Sequence, residues 1–308
     1  MSTARKIRLG TRGSLLARWQ AGWVAAQLGR RGVEVELVPI ATQGDMQQVG
    51  PIEAIGTLGV FTKEIQRALL EQQIDVAVHS LKDLPTEPVA GLSLAAVPER
   101  EAAGDALIAR EAASFDELPQ GAVVGTGSTR RQAQLLAVRP DLQMRDIRGN
   151  VETRIQKLDA GDYDAIVLAE AGLRRLELAS RITQVLPKSI LLPAVGQGAL
   201  GIETRSDDEL TRQTLAQIDD PATHQAVLAE RAMLYTLRGG CMAPVGAWGR
   251  IEGDQLMLSA VVLSYDGRRR LDASGSAPPE SAESLGRALA EELIEQGASE
   301  LIRQSRER

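Results

Sequence analysis

Two similar α/β domains followed by a smaller α+β domain are predicted for this chain of 308 residues, and three observations predict them. The order strand, helix, strand, helix, strand occurs twice, and a Gly-Thr turn and an aspartate recur at matching places in the two runs. Beyond Asp207 the pattern changes to helices and then to an alternating, antiparallel-type stretch. Hydrophobic residues at 44% and charged residues at 25% suit a globular protein with a core in each of two or three domains.

The first run opens with the strand Ile7-Arg8-Leu9-Gly10 and the turn Thr11-Arg12-Gly13-Ser14, followed by a helix from Leu15 to Leu28. Ser14 is its N-cap and Gly29 its stop. A strand from Glu34 to Ile40 follows, and the stretch from Met46 to Gly59, with glycines, a proline and no firm period, reads as a long lid-like loop. Phe61 to Gln72 is an amphipathic helix. Ile74 to Val78 is a buried strand running into His79-Ser80-Leu81-Lys82-Asp83-Leu84-Pro85.

The second run repeats that order. Ala122 to Gly125 is a strand, and Thr126-Gly127-Ser128-Thr129-Arg130-Arg131 opens a helix that ends near Arg139 because Pro140 follows. Leu142 to Ile147 is the next strand, Asn150 caps a helix to Ala160, and Tyr163 to Leu168 is a strand matching the one at Asp75. Gly10-Thr11 thus answers Gly125-Thr126, and Asp75 answers Asp164. The pieces Pro98 to Asp105 and Leu191 to Gly201 read as crossings between the two domains, with Leu192 to Gly198 a hinge-like return strand. Helices at Asp208 to Ile218 and Ala222 to Leu237 lead to the loop Leu237-Arg238-Gly239-Gly240-Cys241-Met242-Ala243-Pro244. Val245 to Leu271 alternates as a small sheet with turns at Glu252-Gly253-Asp254 and Asp266-Gly267, and Ser281 to Gln304 is read as one closing helix.

A net charge of −6 and only 3% aromatics argue against a nucleic-acid surface. No stretch spans a membrane, Met1 to Lys6 carries no signal-peptide pattern, and a single cysteine suits a reducing compartment, so a cytoplasmic location is expected. The basic residues are mostly arginine and collect where strands end and helices begin. Arg12 precedes the Ser14 cap, Arg130 and Arg131 follow Ser128, Arg148 precedes Asn150, Arg154 follows it, and Arg174 and Arg175 come after the Asp164 strand. Cations in a first helical turn oppose the helix dipole at a cost of ~0.3 to 1 kcal/mol each. Their recurrence there points to a bound anion with several carboxylate or phosphate groups, which arginine's planar fork suits.

Cys241 is the only cysteine. It cannot form an intrachain disulfide or a CxxC pair, and with His79 and His224 the only histidines, no metal site is expected. An attachment point, a nucleophile and a passive buried thiol all remain open. Asp83 is either the partner of Lys82 in a surface ion pair or a carboxylate placed to stabilise a developing cation or move protons. His79 reads as structural. No GxxxxGK[ST] occurs, and arginine stands where a dinucleotide fingerprint would place its third glycine after Gly125-Thr126-Gly127.

The runs VAVHSLKDLPT, VGTGSTRRQAQL, IRGNVETRIQKLDAGDYDAIVLA, LPAVGQGALGIE and RGGCMAPVGA closely resemble the porphobilinogen deaminase (hydroxymethylbilane synthase) family of tetrapyrrole biosynthesis. The resemblance covers Ile7 to about Trp248 and is looser beyond. It implies two domains similar to type II periplasmic binding proteins, residues 1–98 with 199–216 and residues 104–192, and a third, residues 220–308, that carries the cysteine. It implies a dipyrromethane cofactor held by a thioether to Cys241, four porphobilinogens added in turn with loss of ammonia, and hydrolytic release of hydroxymethylbilane by a monomer. Asp83 is then the catalytic carboxylate. Arg12, Ser14, Lys82, Ser128, Arg130, Arg131, Arg148, Arg154 and Arg175 are carried over as binders of cofactor and substrate carboxylates, and Phe61 as a lid-side contact. Many relatives have lysines where Ala54 and Leu58 stand here, so the loop is left out of the site. Gly127 stands where a serine is common, which removes a hydroxyl. A non-catalytic solute-binding module remains the chief alternative, and it would need neither Asp83 nor Cys241. A sugar-phosphate or nucleotide enzyme is a third.

Overall fold

In the computed structural model, which describes residues 6–42, 62–240 and 242–306, the chain divides into two units. One is Met1–Arg100 with Ala199–His224, the other Glu101–Gly198 with Gln225–Arg308.

The first unit is built from β1 (Ile7–Thr11), α1 (Leu15–Gly29), β2 (Val35–Pro39), α2 (Lys63–Leu70), β3 (Val76–Ser80) and β4 (Leu92–Ala96). A much later strand, β10 (Leu200–Arg205), completes its sheet in the order β2-β1-β3-β10-β4. β1 is parallel to β2 and β3, whereas β10 runs antiparallel to both its neighbours. Val76, Ala77 and Val78 are buried, as a central strand with both faces covered requires.

The second unit holds β5 (Asp105–Ala109), β6 (Val123–Gly125), α3 (Thr129–Val138), β7 (Gln143–Arg145), α4 (Val151–Asp159), β8 (Ala165–Ala169), α5 (Glu170–Arg175) and β9 (Gln184–Val185). Its sheet order, β7-β6-β8-β5-β9, matches the first position by position, again with one antiparallel strand beside the central one. The odd strands, β5 and β10, are the two that follow the crossings. This is the strand order of type II periplasmic binding proteins, so the expected fold class holds.

The repeated aspartates have one structural task. Asp75 Oδ2 accepts the backbone N–H of Arg8 at 3.0 Å, and Asp164 Oδ2 accepts that of Val123 at 2.7 Å. In both sheets the carboxylate enters where the central strand begins and supplies an acceptor to the adjoining parallel strand, whose N–H would otherwise lie unpaired beyond the ladder. Arg8 Nε and Nη2 add a fork onto Asp75 at 3.0 and 2.9 Å, and Arg205 Nη2 joins it at 3.2 Å.

Helix α6 (Glu209–Ala216) is followed by α7 (Pro221–Thr236). The rest of the second unit is the meander β11 (Val245–Glu252), β12 (Gln255–Leu263) and β13 (Arg270–Ala277), then α8 (Ala282–Glu295) and α9 (Ala298–Arg306). Ala229, Met233, Leu258, Val262, Leu289 and Leu293 share one core there. Three expectations are corrected. Leu192–Gly198 is not a strand but an extended piece and a turn, with the strand beginning only at Leu200. The sheet continues past Leu271 to Ala277, where Ala273, Gly275 and Ala277 alternate with Asp272, Ser274 and Ser276 but are too small to give a strong apolar signal. The closing helix is two helices, parted at Gly297, whose φ of 105° belongs to the left-handed region that glycine enters freely.

Candidate functional site

In the first unit, Ser14 caps α1 by accepting the Ala17 N–H at 3.3 Å, as its position before the helix suggested. Arg12 lies half-buried between β1 and this cap. β3 leads directly into a 3-10 turn, Leu81–Asp83, in which Leu81 is buried and Lys82 and Asp83 are half-buried. The strand end is held by Gln20, whose Nε2 donates to Ser80 Oγ at 2.8 Å. The Asp83 carboxylate has no hydrogen-bond or ion-pair partner among the described residues. His79 is buried, its Nε2 2.9 Å from Glu203 Oε2, and Glu203 also accepts from Gln66 Nε2 at 3.2 and 3.1 Å, which bears out a structural role.

In the second unit the paired arginines do not face water. Arg130 and Arg131 lie in the first turn of α3 with side chains 4% and 7% exposed, and both reach the wholly buried Asp105 at the start of β5. Arg130 Nη1 and Nη2 donate to its two oxygens at 2.8 and 3.1 Å, and Arg131 Nε donates to Oδ1 at 2.8 Å. Burial alone would raise the carboxyl's pKa; the two adjacent guanidinium charges and their hydrogen bonds outweigh it and hold Asp105 well below the usual carboxylate range. Asp105 thus offsets part of the cost that sequence reasoning had assigned wholly to a bound anion. Arg175 is also buried, donates from Nη2 to Gly198 O at 2.7 Å, and is pushed down to about 10 by burial, against the opposing charge of Glu101. Ser128 is the N-cap residue of α3, yet its side chain makes no capping bond. Asn150 does cap α4, accepting the Thr153 N–H at 2.9 Å. Arg148 is half-buried before that cap, and Arg154 Nε donates to Gly149 O at 2.8 Å.

The return segment Leu192–Gly198 gathers much of this unit. Leu192 O accepts from Arg130 Nη1 at 2.7 Å, Ala247 N donates to Pro193 O at 2.8 Å, and Gly198 O is the acceptor of Arg175. Glu230, buried on α7, accepts the N–H of Gly196 and that of Gly249, each at 2.7 Å. Asp105 and Glu230 were missed by sequence reasoning. For Asp105 a signal existed: like Asp75 and Asp164, it is an aspartate at the head of an apolar strand.

Cys241 and Phe61 lie outside the described residues, as does the loop 46–59 with Ala54 and Leu58. The residues flanking the cysteine are placed. After α7 the chain turns back, with Gly239 N donating to Leu234 O at 3.0 Å and Ala243 N to Gly240 O at 3.0 Å. Met242 O accepts from Thr129 Oγ1 at 2.5 Å. The residue next to Cys241 is therefore fastened to the first turn of the helix that carries Arg130 and Arg131.

The fold and these residues define an α/β protein with a periplasmic-binding-protein strand order, with cations and helix N-termini suited to a polyanion, and with Met242, the residue that follows the cysteine in sequence, fastened to one of those N-termini. Comparison with known proteins is more specific. Residues 7–213 match the family model for porphobilinogen deaminase, dipyromethane cofactor binding domain, and residues 224–295 that for porphobilinogen deaminase, C-terminal domain. The porphobilinogen deaminases of Desulforudis audaxviator and Geobacter metallireducens are 51% and 50% identical to this chain over 300 residues, covering 97% of it and 97% and 94% of their own lengths. The chain belongs to the porphobilinogen deaminase family; it is an enzyme of tetrapyrrole biosynthesis with the family's dipyrromethane cofactor-binding domain. Among solved structures, the methionine binding protein MetQ is similar over 73% of this chain and 93% of its own, with 15% identity and a TM-score of 0.45; the fold assignment rests on strand order.

Proposed function

We propose that this chain condenses four porphobilinogen molecules head to tail, losing one ammonia at each addition, and releases hydroxymethylbilane by hydrolysis. The observation that carries the reading is the Thr129–Met242 hydrogen bond, which ties the neighbour of Cys241 to a helix N-terminus beside buried arginines. When bound through Cys241, the dipyrromethane supplies the pyrrole carbon that the first substrate unit joins. The donor set fits a group that bears an acetate and a propionate on every ring. Arg12 and Lys82 in the first unit and Arg130, Arg148, Arg154 and Arg175 in the second offer cations, and Ser14 and Ser128 stand where helices present free N–H groups. Phe61 belongs to the same proposal as an apolar contact. Arg131 adds a further cation, with each of its nitrogens also engaged within the fold.

Asp83 acts on the reacting atoms. Its carboxylate is held by a short turn at the end of a buried strand. It accepts the substrate's ring N–H and stabilises the cation left when ammonia departs. At ~4 Å and an effective dielectric of ~20, opposite unit charges attract by about 4 kcal/mol, close to three powers of ten in rate. The same carboxylate takes the proton released when the ring regains aromaticity after carbon-carbon bond formation.

Intact mass is the decisive measurement. Wild-type protein should exceed its sequence mass by two linked pyrrole units, and Cys241→Ser should lack the excess. An active wild type of unmodified mass would overturn the covalent-cofactor reading. We also place the protein in the cytoplasm as a monomer; its single cysteine suits a reducing compartment, and light scattering at micromolar concentration checks the monomer.

A further inference from the structure

The two α/β sheets differ at one matched set of inward positions. In the first, His79 on β3, Glu203 on β10 and Gln66 on α2 form a polar group whose residues are only 5%, 6% and 7% exposed. His79 Nε2 lies 2.9 Å from Glu203 Oε2, off the axis that a hydrogen bond needs, and Gln66 Nε2 donates to both oxygens of Glu203 at 3.2 and 3.1 Å. In the second sheet the same places hold hydrocarbon. Leu168 stands as far after Asp164 as His79 after Asp75, and Ile155 as far before Asp164 as Gln66 before Asp75. Ile108 meets Ile166 across the ladder as Glu203 meets Ala77. Leu168, Ile155 and Ile108 share one apolar core. The fold therefore closes without a polar group here, and burying one costs more than burying aliphatic residues of like size.

The polar group belongs to the sheet that carries Asp83, and it lies along the chain that leads there. His79 is the penultimate residue of β3, which runs into the turn Leu81–Asp83. The chain of β10 seats that turn. Ala199 O, just ahead of the strand, accepts the Leu81 N–H at 3.0 Å. Gly201, opposite His79, leaves the room that the Leu81 side chain fills, since a Cβ there would stand 2.7 Å from Leu81 Cδ1. Glu203 faces the His79 ring. Polar contacts have a direction and a length that aliphatic packing lacks, so a network of them fixes one arrangement.

We infer that Gln66, His79 and Glu203 are positioning residues for the condensation: they set the end of β3 and, through Leu81, the place of the Asp83 carboxylate. Their role rests on that of Asp83 proposed above. At such burial they act through the strand rather than on a ligand. A reacting group displaced by ~1 Å can lose about 10²-fold in rate, while binding through the arginines is left as it was.

The second sheet supplies the test. Gln66→Ile, His79→Leu and Glu203→Ile, combined in one variant, give the first sheet the hydrocarbon of the second. Its melting midpoint should equal or exceed that of the wild type. Assayed well below that midpoint, kcat per cofactor-bearing molecule should fall about tenfold or more, with KM for porphobilinogen within about twofold of wild type. A triple variant with wild-type kcat, or one whose KM rises while kcat holds, would overturn the inference. Should it not fold, Glu203→Gln and Glu203→Leu decide. Glutamine keeps an oxygen toward His79 and should hold kcat within about threefold, leucine should lose about tenfold, and equal kcat for the two would overturn the inference as well. Asp83→Asn, assayed beside them, separates the two readings: near-normal turnover there sinks the catalytic role of Asp83, whereas a slow Asp83→Asn beside a fully active triple variant sinks the positioning role alone.

Discussion

Thr129→Val is the sharpest small perturbation available. It removes one hydroxyl, keeps the volume close to constant, and deletes a side-chain tether of the residue that follows Cys241, the 2.5 Å bond from Thr129 Oγ1 to Met242 O. Such a bond contributes about 0.5–1.5 kcal/mol net, and because Thr129 and Met242 are both half-buried, water can satisfy the abandoned carbonyl and the loss should be about 1 kcal/mol. For 308 residues the unfolding entropy is roughly 0.6 kcal/mol per degree, so the melting midpoint should fall by only about 2 °C. If the tether aligns the cysteine loop, the same ~1 kcal/mol shifts the loop from its held position by about fivefold, and turnover should fall by a like factor while the cofactor remains attached. Initial rates of tetrapyrrole formation, intact mass and a thermal melt on one preparation give the three readouts. Turnover within 1.5-fold of wild type, at a midpoint lowered as expected, would refute the alignment argument.

Asp83→Asn should retain the two-pyrrole mass yet turn over ~10²- to 10³-fold more slowly, since it removes the charge proposed to face the developing cation; near-normal turnover would place that charge on another residue. Asp75 is held well below the usual carboxylate range, its burial outweighed by hydrogen bonds from Arg8 and Arg205. Its stabilisation is therefore complete above the unfolded value of ~3.9 and is lost as pH falls through the lower folded value. Urea midpoints should be flat from pH 7 to 5 and drop below pH 4, and Asp75→Asn should cost about 2–4 kcal/mol at pH 7, moderated because Arg8 is 40% exposed. A variant whose midpoints keep the full wild-type acid dependence would show that Asp75 does not carry it. Gly198→Ala should destabilise by roughly 2–3 kcal/mol, because φ is 87° and an added Cβ would collide with the backbone oxygens of Glu101 and Ala102; displacement of the Gly198 carbonyl should also weaken substrate binding if Arg175, which donates to it, serves as proposed. An unchanged melting midpoint would mean that the crossing rearranges at little cost.

Features with local causes were legible in the chain. Ser14 and Asn150 cap helices because a side-chain oxygen three residues before a backbone N–H is a short-range geometry. The repeat was legible because Asp75 and Asp164 each serve the strand beside them at the same place in two sheets. The break at Gly297 was overlooked although the glycine was in view, since apolar periodicity continues across it into α9. The small inward residues Ala273, Gly275 and Ala277 hid β13, although its burial alternates residue by residue.

Residue types alone carried the fold class, the polyanionic character of the ligand and the family, since periodicity, charge sign and motif spacing are properties of the chain itself. What each arginine reaches is a different kind of fact. Asp105 is 25 residues from Arg130, and Glu230 is 34 from Gly196 and 19 from Gly249. Partners so far apart meet only after β5 has crossed into its sheet and α7 has packed beneath the return segment. Before that a guanidinium group has water on every side, and its orientation is defined only by the acceptors that folding brings to it.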